Sequence, residues 1–277
     1  MKRIAIVGLG WLGMPLALSL LASGYRVTGS KTTPDGVEAA RMCGVECYPL
    51  LLTPQINAEQ EDLAALFQVD ALIITLPAGR TSARAEDYCL AVQQVVDSAL
   101  VYGVPRIIFT SSTSVYGDTA GTVHEDSPLM PVTPTARCLV DLERWLHRLP
   151  NTSVDILRLA GLVGPNRHPG RFLAGRTQLP GGSHGVNLVH QSDVIAAIEL
   201  LLKLPKGGHI YNICSPQHPA RRDFYPAKAR ELNLTPPLYL AGDERDTGKI
   251  IDGSRICREL GFDYLYADPA FMPVRLS

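Results

Sequence analysis

The sequence predicts an α/β fold: a doubly wound parallel sheet with a small C-terminal substrate lobe interleaved with it. Short apolar runs rich in β-branched residues alternate with longer helical patterns through the first 160 residues, the signature of buried parallel strands covered by helices on both faces. A glycine cluster, Gly8, Gly10 and Gly13, separates the first such run from the first helical run. After Ala160 the texture turns to glycine, proline and basic residues before strand and helix patterns return. The expected division is therefore a sheet domain over 1–160, completed by 186–213, and a lobe made of 161–185 and 214–277.

The elements follow from the period of the apolar residues. Strand 3–7, helix 11–23 and strand 26–29 form the first unit; a helix near 36–43, a strand near 45–48, a helix near 61–67 and a strand over 71–75 come next. Helix 86–102 leads to strand 106–110, and helix 137–147 leads to strand 154–159. Six strands of this type complete a doubly wound sheet. Beyond them, a helix near 193–203, a strand near 209–213, a helix after Arg222 and a short helix over 254–260 are expected, with no internal repeat or low-complexity segment.

Composition narrows the function. At 277 residues the chain has length for one large core, or one core plus a small lobe. The 26 basic and 27 acidic residues nearly cancel and are interspersed, which argues against nucleic acid or an anionic membrane as partner and for a small molecule. Cys43, Cys47, Cys89, Cys138, Cys214 and Cys257 contain no Cys-x-x-Cys pair, so they are expected to be reduced, and no metal site is expected. Lys2-Arg3 ahead of an apolar run to Ala22 has the outline of a secretory signal, but its glycines suit a phosphate turn instead. A cytoplasmic protein with no membrane span is the expectation.

In Gly8-Leu9-Gly10-Trp11-Leu12-Gly13 the first glycine permits a tight turn. The second lets backbone N–H groups of the Gly10, Trp11 and Leu12 stretch approach a pyrophosphate, and the third lets the helix pack on the strand. Because the hexapeptide follows a strand and opens a helix, it predicts a Rossmann-type dinucleotide site. About twenty residues on, where a ribose 2′-OH needs a carboxylate, the chain reads Thr28-Gly29-Ser30-Lys31-Thr32-Thr33. Lys31, with the hydroxyls of Ser30 and Thr32, suits a 2′-phosphate, so NADP is favoured, with NAD the alternative. Leu76 and Pro77, past the strand 71–75, complete the expected cofactor contacts.

Thr110-Ser111-Ser112-Thr113-Ser114-Val115-Tyr116-Gly117 ends the strand 106–110. With the glycine fingerprint, Leu157-Arg158-Leu159-Ala160-Gly161-Leu162-Val163-Gly164-Pro165, Asn187-Leu188-Val189-His190-Gln191-Ser192-Asp193 and Ile210-Tyr211-Asn212-Ile213, it makes the chain resemble the atypical extended short-chain dehydrogenase/reductases of NAD(P)-dependent epimerase/dehydratase type. The resemblance implies a strand-end serine, here Ser112, that hydrogen-bonds a substrate oxygen. It also implies a tyrosine, its pKa lowered by a lysine four residues on, that moves a proton while nicotinamide exchanges hydride. With Glu143 set on the acid that ends the family's run, Thr135 stands at the tyrosine position and Leu139 at the lysine position. A homodimer is a further implication of the resemblance.

Replacement acid/base or orienting candidates are Tyr116, Arg137, Cys138 and His190; Ser112, Tyr116 and Arg137 are taken as the catalytic set. Arg167 and Arg171, in the glycine- and proline-rich stretch where the family's lobe receives a phosphorylated group, are the substrate-binding candidates. Three functions compete. The first is an NADP-linked oxidoreductase or epimerase acting on a small, phosphorylated or nucleotide-sugar substrate. The second is a non-catalytic NAD(P)-binding sensor. The third, a β-hydroxyacid dehydrogenase suggested by the Gly8-to-Ala17 opening, requires a long all-helical second half that the texture after Ala160 contradicts.

Overall fold

The computed structural model describes residues 2–53, 55–78, 82–241 and 248–274. β1 (Arg3–Val7), α1 (Gly13–Ala22), β2 (Arg26–Lys31), α2 (Pro34–Met42), β3 (Glu46–Pro49), the hairpin strands β4 (Leu51–Leu52) and β5 (Ile56–Asn57), α3 (Gln60–Phe67), β6 (Ala71–Ile74), α4 (Ser82–Val101) and β7 (Arg106–Ser112) come first. They are followed by β8 (Gly121–Val123), α5 (Pro134–Leu146), β9 (Ser153–Leu159), β10 (Gly161–Val163), β11 (Leu188–His190), α6 (Gln191–Lys203), β12 (Ile210–Ile213), α7 (Arg221–Glu231), β13 (Lys249–Ile251) and α8 (Arg255–Leu260). The main sheet runs β12-β9-β7-β6-β1-β2-β3. β1 is parallel to both β2 and β6, and the chain order reverses across the β1/β6 boundary. In sheets of this kind, ligands bind outside the carboxyl ends of the strands at that reversal.

Two compact units divide the chain: 1–115, 131–157 and 198–210 in one; 116–130, 158–197 and 211–277 in the other. The division departs from the expected one in two places. Residues 116–130 leave the sheet after β7, and their β8 pairs with β13 instead. β11, expected to help complete the sheet, pairs only with β10, while β12 takes the edge position.

In the first unit, β1 and β6 are buried from Ile4 to Val7 and from Ala71 to Ile74, so neither strand shows the period-2 alternation of a half-exposed strand. A polar cluster sits within this core. Arg106, at the start of β7, donates Nε and Nη2 to Asp155 Oδ2 at 3.0 and 2.7 Å, and its Nη1 to the Leu204 carbonyl at 2.7 Å. The other Asp155 oxygen accepts from the His209 backbone N–H at 3.1 Å and lies 2.7 Å from His209 Nδ1. Asp155 is fully buried, so every donor here offsets desolvation of a carboxylate.

A disulfide between Cys89 on α4 and Cys138 on α5 corrects the expectation that all six cysteines are reduced. Two cysteines far apart in sequence carry no local spacing signal, and it is the packing of two helices that brings them together. Cys43, Cys47, Cys214 and Cys257 are unpaired.

The second unit centres on Val163, Val186, Leu188, Phe224, Met272 and Val274, with Tyr225 and Tyr266 against them. Asp193, at the start of α6, accepts from the Leu265 and Tyr266 backbone N–H groups at 2.7 and 3.4 Å. His190 Nδ1 accepts from the Ser192 N–H at 3.2 Å, which leaves Nε2 to donate to the Pro273 carbonyl at 2.9 Å. Burial lowers the pKa of His190, and likewise of His168 and His218.

Two outcomes follow for stability. Replacing Asp155 with Ala strands Arg106 in the core and should cost about 3–5 kcal/mol in urea or thermal unfolding. The three depressed imidazoles contribute stability that is present above the unfolded histidine pKa of 6.5 and is lost as pH falls below it. The melting temperature should therefore fall between pH 7 and pH 5, and His190→Asn should flatten that slope; a melting temperature independent of pH over this range refutes the assignment.

Candidate active site

The cofactor turn is built from backbone first. Gly8 has φ of +108°, a left-handed conformation that a side chain would strain. A Cβ on Gly13 would lie 2.2 Å from the Gly8 carbonyl oxygen and 2.8 Å from Thr75 Oγ1, so α1 sits against the strand with no room for a methyl group. Thr75, at the end of β6, donates its hydroxyl to the Gly8 carbonyl at 2.8 Å. Gly10 differs: a Cβ there meets nothing nearer than 3.9 Å, so it would project into open space above the turn. No side chain caps the start of α1 at Leu12, so a pyrophosphate at this helix start would meet backbone rather than a capping side chain. Leu76 lies beside the same turn, its backbone N 3.0 Å from a Gly8 Cβ, and Pro77 is exposed just beyond.

The neighbouring strand supplies the selectivity candidates. Val7 pairs with Ser30, so Ser30 and Lys31 end β2 beside the glycine turn. Ser30 is buried, Lys31 half-buried and Thr32 exposed. The nearest acid along the chain, Asp35, belongs to the first turn of α2, where Thr33 Oγ1 caps by accepting the Gly36 N–H at 3.2 Å. These residues fit an NAD(P) dinucleotide: a positive-φ glycine, a glycine whose missing side chain leaves space, and a helix start without a side-chain cap lie together at the sheet's reversal point.

Ser112 ends β7 half-buried, its Oγ accepting the Ser114 N–H at 3.1 Å. Ser111 points the other way and donates to Glu143 on α5 at 2.5 Å, with both side chains buried. Leu139 is buried and apolar, and Thr135 half-buried near the start of α5. Arg137 is exposed, its guanidinium turned back to the Val132 carbonyl at 3.3 Å.

Tyr116 belongs to the second unit and is wholly buried. Its hydroxyl donates to Asn212 Oδ1 at 2.7 Å and accepts from Arg158 at 2.8 Å, with the Arg158 guanidinium 5.1 Å from the ring centre. Burial pushes the phenol pKa upward against the pull of Arg158. This is the geometry of a residue that fixes structure, and it leaves the hydroxyl no free position for proton exchange. Arg167 and Arg171 are exposed in the same unit, beside the tight turn 164–167 and in the 3₁₀ turn Pro169–Arg171.

Sequence reasoning passed over four residues. Thr75 carries no motif of its own, and its role appears only when β6 lies beside β1. Arg158, Asn212 and Glu125 form a buried network: Arg158 also donates to the Glu125 carbonyl at 2.9 Å, and the Glu125 carboxylate accepts the Asn212 N–H at 2.9 Å. Arg158 and Asn212 stand inside the quoted motifs, so a charged and an amide residue in otherwise apolar strands were the available signal.

The NAD dependent epimerase/dehydratase family model matches residues 4–214, from the first strand of the glycine turn to the edge strand of the sheet. The chain belongs to the NAD-dependent epimerase/dehydratase family. It is 64% identical to Protein YeeZ of Escherichia coli K12 over 99% of this chain and all of that one. UDP-glucose 4-epimerase of Thermotoga maritima, solved with UDP-glucose, superposes with a TM-score of 0.75 at 19% identity, covering 95% of this chain and 94% of that one. A short-chain dehydrogenase/reductase superfamily protein of Agrobacterium tumefaciens with bound NAD gives 0.75 at 20% identity, covering 95% and 93%. The family fold is thus carried through nearly the whole chain, and with it the role of an NAD(P)-binding, oxidoreductase- or epimerase-like protein.

Among the described residues no group of three or more His, Cys, Asp or Glu side chains is disposed to hold a metal, and no helix is long and apolar enough to cross a membrane. Two glycine substitutions separate the roles within the turn. Gly13→Ala should lower stability by about 1–3 kcal/mol because the methyl meets backbone. Gly10→Ala should leave the melting temperature unchanged and weaken dinucleotide binding at least several-fold in calorimetric titration. Equal effects of the two on stability contradict the geometry.

Proposed function

We propose that the protein is an NADP-linked oxidoreductase or epimerase that acts on a small phosphorylated or nucleotide-sugar substrate without the Tyr-x-x-x-Lys pair. The observation that carries this is the end of β2, where Lys31 stands beside the glycine turn and no carboxylate intervenes from Thr28 to Pro34. A 2′-phosphate there meets a cation and hydroxyls, whereas a free ribose 2′-OH lacks its usual carboxylate acceptor. When bound, the nicotinamide supplies hydride exchange. Ser112 orients the substrate oxygen through its hydroxyl, and the Ser111–Glu143 bond holds the strand end on which Ser112 sits. Arg137, exposed at the start of α5, is the residue for an anionic substrate group; Tyr116 is a positioning residue within its own unit.

The ligands of structural relatives support the substrate class: the Thermotoga maritima epimerase was solved with UDP-glucose and the Agrobacterium tumefaciens protein with NAD. Exposed Arg167 and Arg171 suit the phosphates of such a substrate. A homodimer and a cytoplasmic setting belong to the same proposal.

A second reading, a non-catalytic NAD(P)-dependent sensor, is favoured by one observation. Leu139 is buried and apolar where the pKa-lowering lysine would stand, with Thr135 at the tyrosine position, and loss of a positioned acid/base costs roughly 10²- to 10⁴-fold in rate.

Titration calorimetry with NADP and NAD, on the wild type and on Lys31→Ala, tests the cofactor. NADP affinity should fall about tenfold or more in the variant, equivalent to about 1.4 kcal/mol, with NAD affinity unchanged. Bound nicotinamide should then change redox state with a nucleotide-sugar panel and stop doing so in Ser112→Ala. Binding without redox change in either protein favours the sensor, and no binding of either dinucleotide removes both readings.

A further inference from the structure

Cys89 on α4 and Cys138 on α5 are 49 residues apart in sequence, with Cα atoms 6.0 Å apart and sulfurs joined. Both belong to the first unit. Cys138 directly precedes Leu139 and follows Thr135 by three residues, the two α5 positions where the resemblance would put the proton-moving pair.

We propose that Cys89 and Cys138 form a reversible oxidation site that governs how firmly the start of α5 is held, with a small-molecule disulfide of the glutathione type as oxidant and the corresponding thiol as reductant. Three observations support it. The two sulfurs differ in access: Cys89 is half-buried, while Cys138 is 7% exposed, so exchange enters at Cys89 and Cys138 resolves it. The reduced pair also has a ready arrangement. Cys89 Sγ lies 3.6 Å from the Cys138 carbonyl oxygen, within reach of a thiol donor. Lastly, α5 is tied at two places, to α4 through the disulfide and to the end of β7 through Glu143, which accepts the Ser111 hydroxyl at 2.5 Å one residue before Ser112. Opening the disulfide removes the tie nearer the helix start and leaves the one at Glu143.

The chemistry balances in two exchanges. The Cys89 thiolate attacks the small disulfide, forming a mixed disulfide and releasing one thiolate. The Cys138 thiolate then attacks Cys89 Sγ, forming the protein disulfide and releasing the second. Two protein thiols are oxidised, the small disulfide is reduced to two thiols, and the two protons end on those thiols. Reduction runs the same steps backwards. The other four cysteines, exposed Cys43, buried Cys47 and Cys214 and half-buried Cys257, are unpaired and serve as internal references.

The test equilibrates the native full-length protein in glutathione buffers from fully oxidised to fully reduced, quenches with acid, and counts maleimide–polyethylene glycol labels after denaturation. With six cysteines and one disulfide, the oxidised protein should take four labels and the reduced protein six, interconverting in both directions. In oxidised glutathione, Cys138→Ser should retain a glutathionyl adduct at Cys89, because no resolving thiol remains, and Cys89→Ser should retain none at Cys138. Amide hydrogen exchange over 134–140 should be several-fold faster in the reduced wild type, with β1 and β2 unchanged. Six labels in every buffer, or four that persist in the fully reduced one, overturns the reversible site. Equal exchange in both states overturns the restraint on α5. Because labels and exchange are read without cofactor or substrate, these outcomes are independent of the dinucleotide assignment.

Discussion

The first unit depends on how closely α1 approaches the ends of β1 and β6. The Gly8 carbonyl accepts the Thr75 hydroxyl, and the absent side chain of Gly13 is what lets the helix start that near. A single methyl group there would push helix from strand, and interiors packed at crystal-like density have no slack to absorb it. The same contact shapes the proposed ligand site: no side chain caps the start of α1, and the space beside Gly10 is open. Fold stability and dinucleotide geometry thus rest on one short stretch of backbone, which is why the two roles can be separated by neighbouring glycines.

The second unit is organised by buried polar groups rather than by a turn. Arg158, 3% exposed, is hydrogen-bonded to the Tyr116 hydroxyl and the Glu125 carbonyl, and the Glu125 carboxylate accepts the Asn212 N–H and faces Arg255 at 3.3 Å. Burial raises the Glu125 pKa, offset by the hydrogen bond from Asn212 and the charge of Arg255. A buried network with every member partnered specifies one arrangement, because any alternative strands a charge. Tyr116 is therefore held by its surroundings, and burial raises its pKa, unlike the lysine-lowered tyrosine that the family resemblance implies.

Much of the sheet was legible in the sequence because parallel strands buried on both faces read as continuous apolar runs, and Ile4 to Val7 or Ala71 to Ile74 admit no other role. The glycine turn was legible for a related reason: Gly8, Gly10 and Gly13 are spaced by the local geometry of one strand–turn–helix. What escaped prediction is non-local. No strand is expected over residues 116–130, yet β8 within them pairs with β13 more than a hundred residues on. Lys228, on a helix with weak amphipathic patterning, is buried because its ammonium reaches Glu231 at 2.9 Å and the Ala270 carbonyl at 2.8 Å. Alternation and capping signals carry no information about partners at such separations.

The sequence by itself determined the α/β class, the place of the glycine turn between β1 and α1, the lack of an acid at the end of β2, and the lack of tyrosine and lysine at Thr135 and Leu139. Each of these is set within a few residues by backbone sterics or by side-chain identity. Only the tertiary structure decided that Thr75 braces the Gly8 turn, that Tyr116 spends its hydroxyl on Asn212 and Arg158, that Ser111 and Ser112 face different partners, and that Cys89 meets Cys138. The physical reason is common to all four. A hydroxyl, phenol or thiol has several low-energy partners available in an open chain, and packing of elements distant in sequence selects one.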